Sequence, residues 1–392
     1  MRIVWITGRP VWPPRGGSEL RISGLVGEVV GRGHEVTVLQ PSPADPAEAP
    51  AGVTAITVPR TWTGPTKLLG KFPSHLPLHS PRIGAEGRSI VQNAVDEARP
   101  EVIVVSEIHG WPLAEHVAGS APFLFDTHNV ETQLMADMKT RATGLQRLAF
   151  MVDERRLRRL EPEVLRRAAS AFAVSDDDAR GLREMCPTCT VDVVPSSVPT
   201  APRHAQPATA PPRMLFVGQL DFPPNTRAVV ELASQILPVV RLAVPDAELL
   251  VVGRRPPAEV VSAIDEAPGA YLVADAPTLE PHYLSARLAA LPIRVGSGSR
   301  LKVFEALSYG LPIVSTATGV SGIDLVPGVE YLPAESAADL ATAVLTLLTD
   351  PAAAAAVGAA GRERFEASLT WSKSTDVLEA ALVRATGGPP AQ

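Results

Sequence analysis

The chain has 392 residues, which against domains of about 100–200 residues implies two domains and ample material for large buried cores. Lysine plus arginine number 36 and aspartate plus glutamate 42, a net charge of −6 that excludes the concentrated positive charge of a nucleic-acid backbone binder. Hydrophobic residues at 45% and charged residues at 20% exclude wholesale disorder.

The opening run Met1–Thr7 meets Arg9-Pro10 too soon for a signal peptide, and no apolar run approaches the roughly 20 residues of a membrane span. The expected location is therefore cytoplasmic. Short Val/Ile/Leu runs alternate with longer helical patterns, the signature of parallel α/β sheets whose strands are buried on both faces. The first series of strands is expected at Arg2–Thr7, Glu35–Gln40, Val53–Val58, Val102–Glu107, Phe123–His128, Ala171–Ser175 and Val191–Pro195. Helices are expected over Ser18–Gly31 and Arg88–Ala98. A second series covers Met214–Gln219, Glu248–Val252, Tyr271–Ala274, Ala289–Ile293 and Pro312–Thr316.

Between the two series, residues 198–212 hold five prolines and no strong apolar pattern, which predicts a semi-extended linker. The chain thus reads as two doubly wound domains, 1–197 and 213–365, facing a central cleft where the carboxyl ends of their strands bind ligand. Arginines 147, 155, 156, 158, 159, 166 and 167 alternate with Asp153, Glu154, Glu161 and Glu163. They predict a solvated helix face with i,i+4 pairs, or a surface for anionic lipid or a phosphorylated acceptor. Cys186 and Cys189 form a lone CxxC, too few ligands for structural zinc and placed before a strand rather than at a helix start, and so incidental.

The strongest chemical signal is Gly296-Ser-Gly-Ser-Arg-Leu-Lys-Val-Phe-Glu-Ala-Leu307. It follows a strand and enters a helix with Leu301, Phe304 and Leu307 on one face. Glycines let a backbone approach a ligand, and free amides at a helix start attract anions. Arg300 and Lys302 add charge suited to a diphosphate, and Glu305, one turn on, can accept hydrogen bonds from sugar hydroxyls. The pattern is neither a Walker loop nor a dinucleotide fingerprint.

This segment resembles the donor-binding motif of the family-4 retaining glycosyltransferases of the GT-B fold, and further matches extend over nearly the whole chain. The resemblance implies that Glu305 binds ribose and that Arg300 and Lys302 hold the donor diphosphate. Ser297 stands where the broader family has a glutamate, which leaves the backbone around Ser297, Gly298 and Ser299 to meet the donor sugar. Phe216-Val-Gly-Gln-Leu-Asp-Phe-Pro-Pro-Asn225 resembles the opening strand and loop of the nucleotide domain, with Gly218 and Asn225 as donor-side candidates. Val251-Val-Gly-Arg254 resembles the strand end beside the nucleobase, where Gly253 is equally explained as a turn residue. Gly16 and Gly17 resemble the N-terminal glycine loop; a tight turn with Ser18 as N-cap explains the same residues. Asp126-Thr-His-Asn-Val-Glu131 resembles the family segment whose histidine, here His128, lies beside the reacting sugar carbon. His109, at another strand end, is an acceptor-side candidate, and the acceptor loop is expected within Thr61–Arg82. A terminal helix at about 366–386 is expected to pack back on the first domain.

The implied reaction moves a hexose or N-acetylhexosamine from a nucleotide donor, UDP-linked by default, to a hydroxyl of a small or lipid-linked acceptor. It retains anomeric configuration and needs no metal or other cofactor, with peripheral contact at the inner membrane face as an option for a lipid-linked acceptor. No covalent nucleophile is expected: the departing phosphate takes the acceptor proton, and His128 supports the oxocarbenium-like carbon. A nucleotide-sugar 2-epimerase of the same fold, or an inactive nucleotide-sugar-binding partner, stays open as an alternative.

Overall fold

The structure is a computed structural model that describes residues 1–14, 16–42, 49–59, 83–202, 211–295 and 300–387. Expectations for the acceptor loop within 61–82, for Ser297, Gly298 and Ser299, and for most of the linker lie outside the described residues. The chain divides into two compact units, Met1–Ser196 with the segment from Trp371 onward, and Ser197–Thr370.

The first unit contains β1 (Arg2–Thr7), α1 (Gly17–Gly31), β2 (Glu35–Pro41), β3 (Val53–Val58), α2 (Ala85–Ala98) and β4 (Val102–Ser106). It continues with α3 (Trp111–Ala114), β5 (Phe123–Asp126), α4 (Glu131–Arg141), α5 (Gly144–Arg167), β6 (Ser170–Ala173), α6 (Asp176–Met185) and β7 (Val191–Val193). Its seven strands run in the order β3-β2-β1-β4-β5-β6-β7, all pairs parallel. Alternation of side chains along each strand makes two cores, one per face. Ile3, Trp5, Val102 and Val104 enter one, and Val4, Ile6, Ile103 and Val105 the other.

The second unit contains β8 (Arg213–Gln219), α7 (Pro223–Glu231), α8 (Leu237–Ala243), β9 (Glu248–Arg254), α9 (Ala258–Asp265), β10 (Ala270–Ala274) and α10 (Glu280–Leu284). Then follow β11 (Leu288–Leu291), α11 (Leu301–Ser308), β12 (Ile313–Ser315), α12 (Ala317–Val320), β13 (Leu332–Pro333), α13 (Ala337–Thr349) and α14 (Pro351–Ser368). The order is β10-β9-β8-β11-β12-β13, again parallel. In both units the strand order reverses beside the first strand, which leaves a crevice at the carboxyl ends of β1 and β4 and of β8 and β11. A Cβ on Gly253 would lie 2.0 Å from the Gly218 carbonyl oxygen, so close strand packing explains that glycine without a ligand. Val198, expected in a linker, is buried in the second unit's core.

The last helix, α15 (Trp371–Ala385), belongs to the first unit, whereas residues 366–368 finish α14. Its Trp371 ring fills the space where Gly24 of α1 lacks a side chain, and a Cβ there would meet the ring at 2.3 Å. Arg32 pairs with Asp376 at 2.7 Å and Glu379 at 2.8 Å, and His34 Nε2 lies 2.9 Å from Glu379. His34 thus serves to anchor α15. The arginines of α5 face outward as expected, apart from the half-buried Arg156, but Asp153, Glu154 and Glu161 are buried rather than solvated. For Glu154 and Glu161 the reason is α4: Lys139 pairs with Glu154, and the Glu161 carboxylate accepts from the amides of Glu131 and Thr132 at 2.8 Å each. Among the described residues no single helix is long and apolar enough to cross a membrane.

Candidate active site

In the first unit the carboxyl ends of β1, β4 and β5 gather Arg9, Glu107, Asp126 and His128. Glu107 ends β4 with φ +60° and ψ 153°, a backbone strain of about 1–3 kcal/mol that the surroundings must hold in place. Its Oε2 accepts from Arg9 Nε at 2.6 Å, while its Oε1 lies 3.0 Å from His128 Nδ1. On the other side of the imidazole, Asp126 Oδ2 lies 3.1 Å from Nε2. Asp126 is itself gripped by Arg21, whose Nη2 donates at 2.6 Å and Nε at 3.0 Å, and by Ser106 Oγ at 3.0 Å.

Burial opposes the charge on His128, but Glu107 and Asp126 outweigh it and raise the imidazole pKa to about 9. Burial likewise works against the two carboxylates, yet His128 with Arg9, and Arg21 with His128, hold them well below the usual range. The cluster is therefore a charged lattice at neutral pH. The imidazole thus lies between two carboxylates, its charge facing Glu107 and Asp126. Glu131 lies beside this cluster, buried, and accepts from Asn129 Nδ2 at 3.3 Å. Burial, then the Glu107 and Glu161 charges, raise its pKa to about 7. His109 occupies the short turn Ile108–Gly110 after Glu107 and adds to the positive field on that carboxylate.

Gly16 is the N-cap of α1 and Gly17 its first residue, with no side chain capping the helix, so Ser18 is not the cap. The early amides are left for solvent or an anion. The Asp-x-Asp spelling at Asp176–Asp178 opens α6, where Asp178 accepts from Ser175 Oγ at 2.5 Å and Asp177 pairs with Arg180 at 2.9 Å. Among the described residues no group of three or more His, Cys, Asp or Glu side chains is arranged to hold a metal ion.

In the second unit the crevice between β8 and β11 brings together Gly218, Asn225, Arg300, Lys302 and Glu305. Arg300 is the N-cap residue of α11, which presents Lys302 and Glu305 from its first two turns. Lys302 Nζ donates to Asn225 Oδ1 at 2.6 Å and rests 4.3 Å from the Phe216 ring centroid. Glu305 Oε2 accepts from the buried Tyr283 hydroxyl at 2.7 Å, and Tyr283 stacks on Tyr309 at 4.9 Å. Burial raises the Glu305 carboxyl, with the Tyr283 hydrogen bond pulling the other way. Arg254 is exposed at the end of β9, two strands from β11. Sequence patterns had no signal for Arg9, Arg21, Glu107, Glu161 or Tyr283, whose partners lie tens of residues away.

Residues 16–197 match the family described as Glycosyl transferase 4-like domain, and residues 211–350 that described as Glycosyl transferases group 1. The chain belongs to the family-4-like glycosyltransferases of the GT-B fold. Solved structures of this glycosyltransferase fold align over nearly its whole length. Sucrose-phosphate synthase from Thermosynechococcus elongatus is 18% identical with a TM-score of 0.67, covering 97% of this chain and 98% of its own. TarM of S. aureus, in complex with Fondaparinux, alpha-GlcNAc-glycerol and UDP, is 9% identical with a TM-score of 0.68, covering 99% and 100%. Anabaena Alr3699/HepE, in complex with UDP and glucose, is 12% identical with a TM-score of 0.66, covering 97% and 99%. At these identities the likeness establishes the fold. No curated protein matches this glycosyltransferase by sequence.

Proposed function

We propose that this glycosyltransferase moves a hexose or N-acetylhexosamine from a UDP-linked donor to a hydroxyl acceptor, with retention of configuration and without a metal. The observation that carries the reading is the Arg300, Lys302 and Glu305 constellation at the β8–β11 crevice, held by Asn225 and Tyr283. Departure of a nucleoside diphosphate builds negative charge on its phosphates. Preorganised cations at that point stabilise it without reorganisation as the bond breaks. Arg300 and Lys302 are assigned that work, and Glu305, oriented by Tyr283, the ribose hydroxyls. The amides around Ser297, Gly298 and Ser299, the bare Gly218 backbone and Arg254 are assigned to the rest of the donor, with Gly16 and Gly17 as amide donors to phosphate. In the first unit, the His128 lattice and His109 are assigned to the acceptor and the reacting sugar. UDP binding by the TarM and Alr3699/HepE structures supports the donor choice. A cytoplasmic setting fits the free Cys186 and Cys189 thiols.

Thermal melts with a panel of nucleotide sugars test the donor assignment. A ligand at 100 times its Kd adds about 2.7 kcal/mol, so a UDP-sugar raises Tm in the wild type and not in Lys302→Met or Glu305→Ala. Product formed with a panel of sugar and polyol alcohols is then read by NMR. An inverted anomeric centre defeats retention, a free epimerised sugar turns the reading into an epimerase, and no stabilisation by any nucleotide sugar ends the donor assignment.

A further inference from the structure

Lys302 sits where a positive charge is poorly served. Its Nζ has a neutral amide oxygen, Asn225 Oδ1, as its hydrogen-bond partner, and an aromatic face beneath it. The cation Arg300 lies two residues away on the same helix start. Glu305, one turn on, is engaged by the Tyr283 hydroxyl, and it forms no ion pair with Lys302 among the described residues. A fraction of the lysine still meets solvent, so a ligand can reach it even though the surroundings are densely packed. The amide is aimed: Asn225 Nδ2 donates to the Gln219 carbonyl at 2.8 Å, which turns Oδ1 toward the lysine. Gly218 keeps the space open, since a Cβ there would lie 3.1 Å from Nζ and 2.9 Å from Asn225 Nδ2.

We propose that the second unit binds a nucleoside diphosphate with uptake of one proton from solvent onto Lys302 Nζ, R–NH2 becoming R–NH3⁺, and that Asn225 is the positioning residue for that amine. The proposal rests on the reading of this unit as the donor site. Without an anion, burial and then the Arg300 charge lower the amine pKa to about 7, against a smaller pull from Glu305. The Phe216 face also favours the ammonium, but a ring quadrupole is weaker than a full charge. A diphosphate brings opposite charge to the same nitrogen and raises its pKa again. Among the described residues, the groups facing Nζ are Arg300 and Glu305 from α11, Asn225 from α7, and Phe216 and Gly218 from β8. Tyr283, reached through Glu305, stays protonated because burial and that carboxylate push its pKa well above the usual value. By linkage, the lysine's contribution to affinity is flat below about pH 7 and falls by up to tenfold per pH unit above it, until the pKa of the complex is reached.

The test is calorimetric titration of the full chain with UDP in buffers of different ionisation enthalpy at pH 6 and pH 8. UDP is fully deprotonated at pH 8, its terminal phosphate titrating roughly two units lower. The expected uptake at pH 8 is about 0.9 proton; at pH 6 the lysine takes up only about 0.1, and UDP, about half protonated there, releases up to about 0.5. Lys302→Arg, permanently charged, binds UDP with uptake near zero at pH 8. Asn225→Ala binds about tenfold more weakly but keeps the uptake, as a positioning role requires. The pH dependence of wild-type affinity reads the same linkage without any variant. UDP binding without proton uptake, or undiminished uptake in Lys302→Arg, overturns this inference while leaving the donor site standing. Absence of binding by UDP, ADP and GDP alike overturns the donor-site reading and this inference with it.

Discussion

Replacing Arg21 with methionine keeps an unbranched apolar stem and removes the guanidinium with its charge, leaving Asp126 in an interior where it has no access to water. The pair is 1% and 0% exposed; Arg21 donates from Nε and Nη2 to the carboxylate, and from Nη1 to the Val194 carbonyl at 2.6 Å and to Ser196 Oγ at 3.5 Å. Breaking a buried pair from one side costs about 3–5 kcal/mol, because the remaining charge keeps its desolvation without its partner. Ser106 and His128 still hold Asp126, which favours the lower end of that range. All five tryptophans, Trp5, Trp12, Trp62, Trp111 and Trp371, fall within the segments of the first unit, so tryptophan fluorescence follows that unit's unfolding alone. With a urea slope near the upper end for small proteins, about 3 kcal/mol per molar, the midpoint of the Arg21→Met variant drops by about 1–2 M. Arg21→Lys, which keeps the charge but loses the fork, falls between variant and wild type. A midpoint shift below about 0.3 M, under 1 kcal/mol, would refute the claim that this pair holds the site together.

The same fluorescence tests two further expectations. The His128 pKa is raised to about 9 from an ordinary value near 6.5. Its contribution to stability is therefore complete below about pH 6.5 and is lost as pH rises through 9. The first unit's Tm should fall between pH 7 and 9.5, and His128→Gln should flatten that fall. Glu131 releases its proton near pH 7, at the foot of this window, and contributes little to the slope. An unchanged slope in His128→Gln would assign the proton elsewhere. Gly24→Ala places a methyl group against the Trp371 ring and should destabilise the first unit by about 1–3 kcal/mol, as overpacking does. A loss below about 0.5 kcal/mol would mean that α15 is not seated on α1 as described.

The strand cores were legible because parallel strands buried on both faces are written as continuous runs of Val, Ile and Leu. Their ends were not. The apolar runs at Val102–Glu107 and Phe123–His128 stop pairing at Ser106 and Asp126, where the chain turns out of the sheet to build the site. The two-residue β13 leaves too short a pattern to see. Among the candidate site residues, His128 and the α11 constellation were visible because each sits inside one short motif. The lattice around His128 was not, since Arg9 meets Glu107 across 98 residues and Arg21 meets Asp126 across 105. Those contacts exist only because the sheet order sets β1 beside β4 and β4 beside β5. Lys302 and Asn225, 77 residues apart, meet for the same reason at the junction of β8 and β11. The resemblance named both as ligand contacts, and the hydrogen bond between them shows one orienting the other.

The seating of α15 on α1 has a consequence for how the protein comes into being. The second unit is one continuous segment, Ser197–Thr370, whereas the first is assembled from two segments separated by that length. Domains fold as units during synthesis, ordinarily the N-terminal one first. Here the later-made unit has all its residues before the earlier one does. Until Trp371 and Leu378 emerge from the ribosome, Ile22, Val26 and their neighbours on α1 lack part of their cover. A growing chain therefore waits, half-finished at its front, for its last helix. Truncations before Trp371 should be recognised by chaperones and proteases even though every strand of both sheets is present.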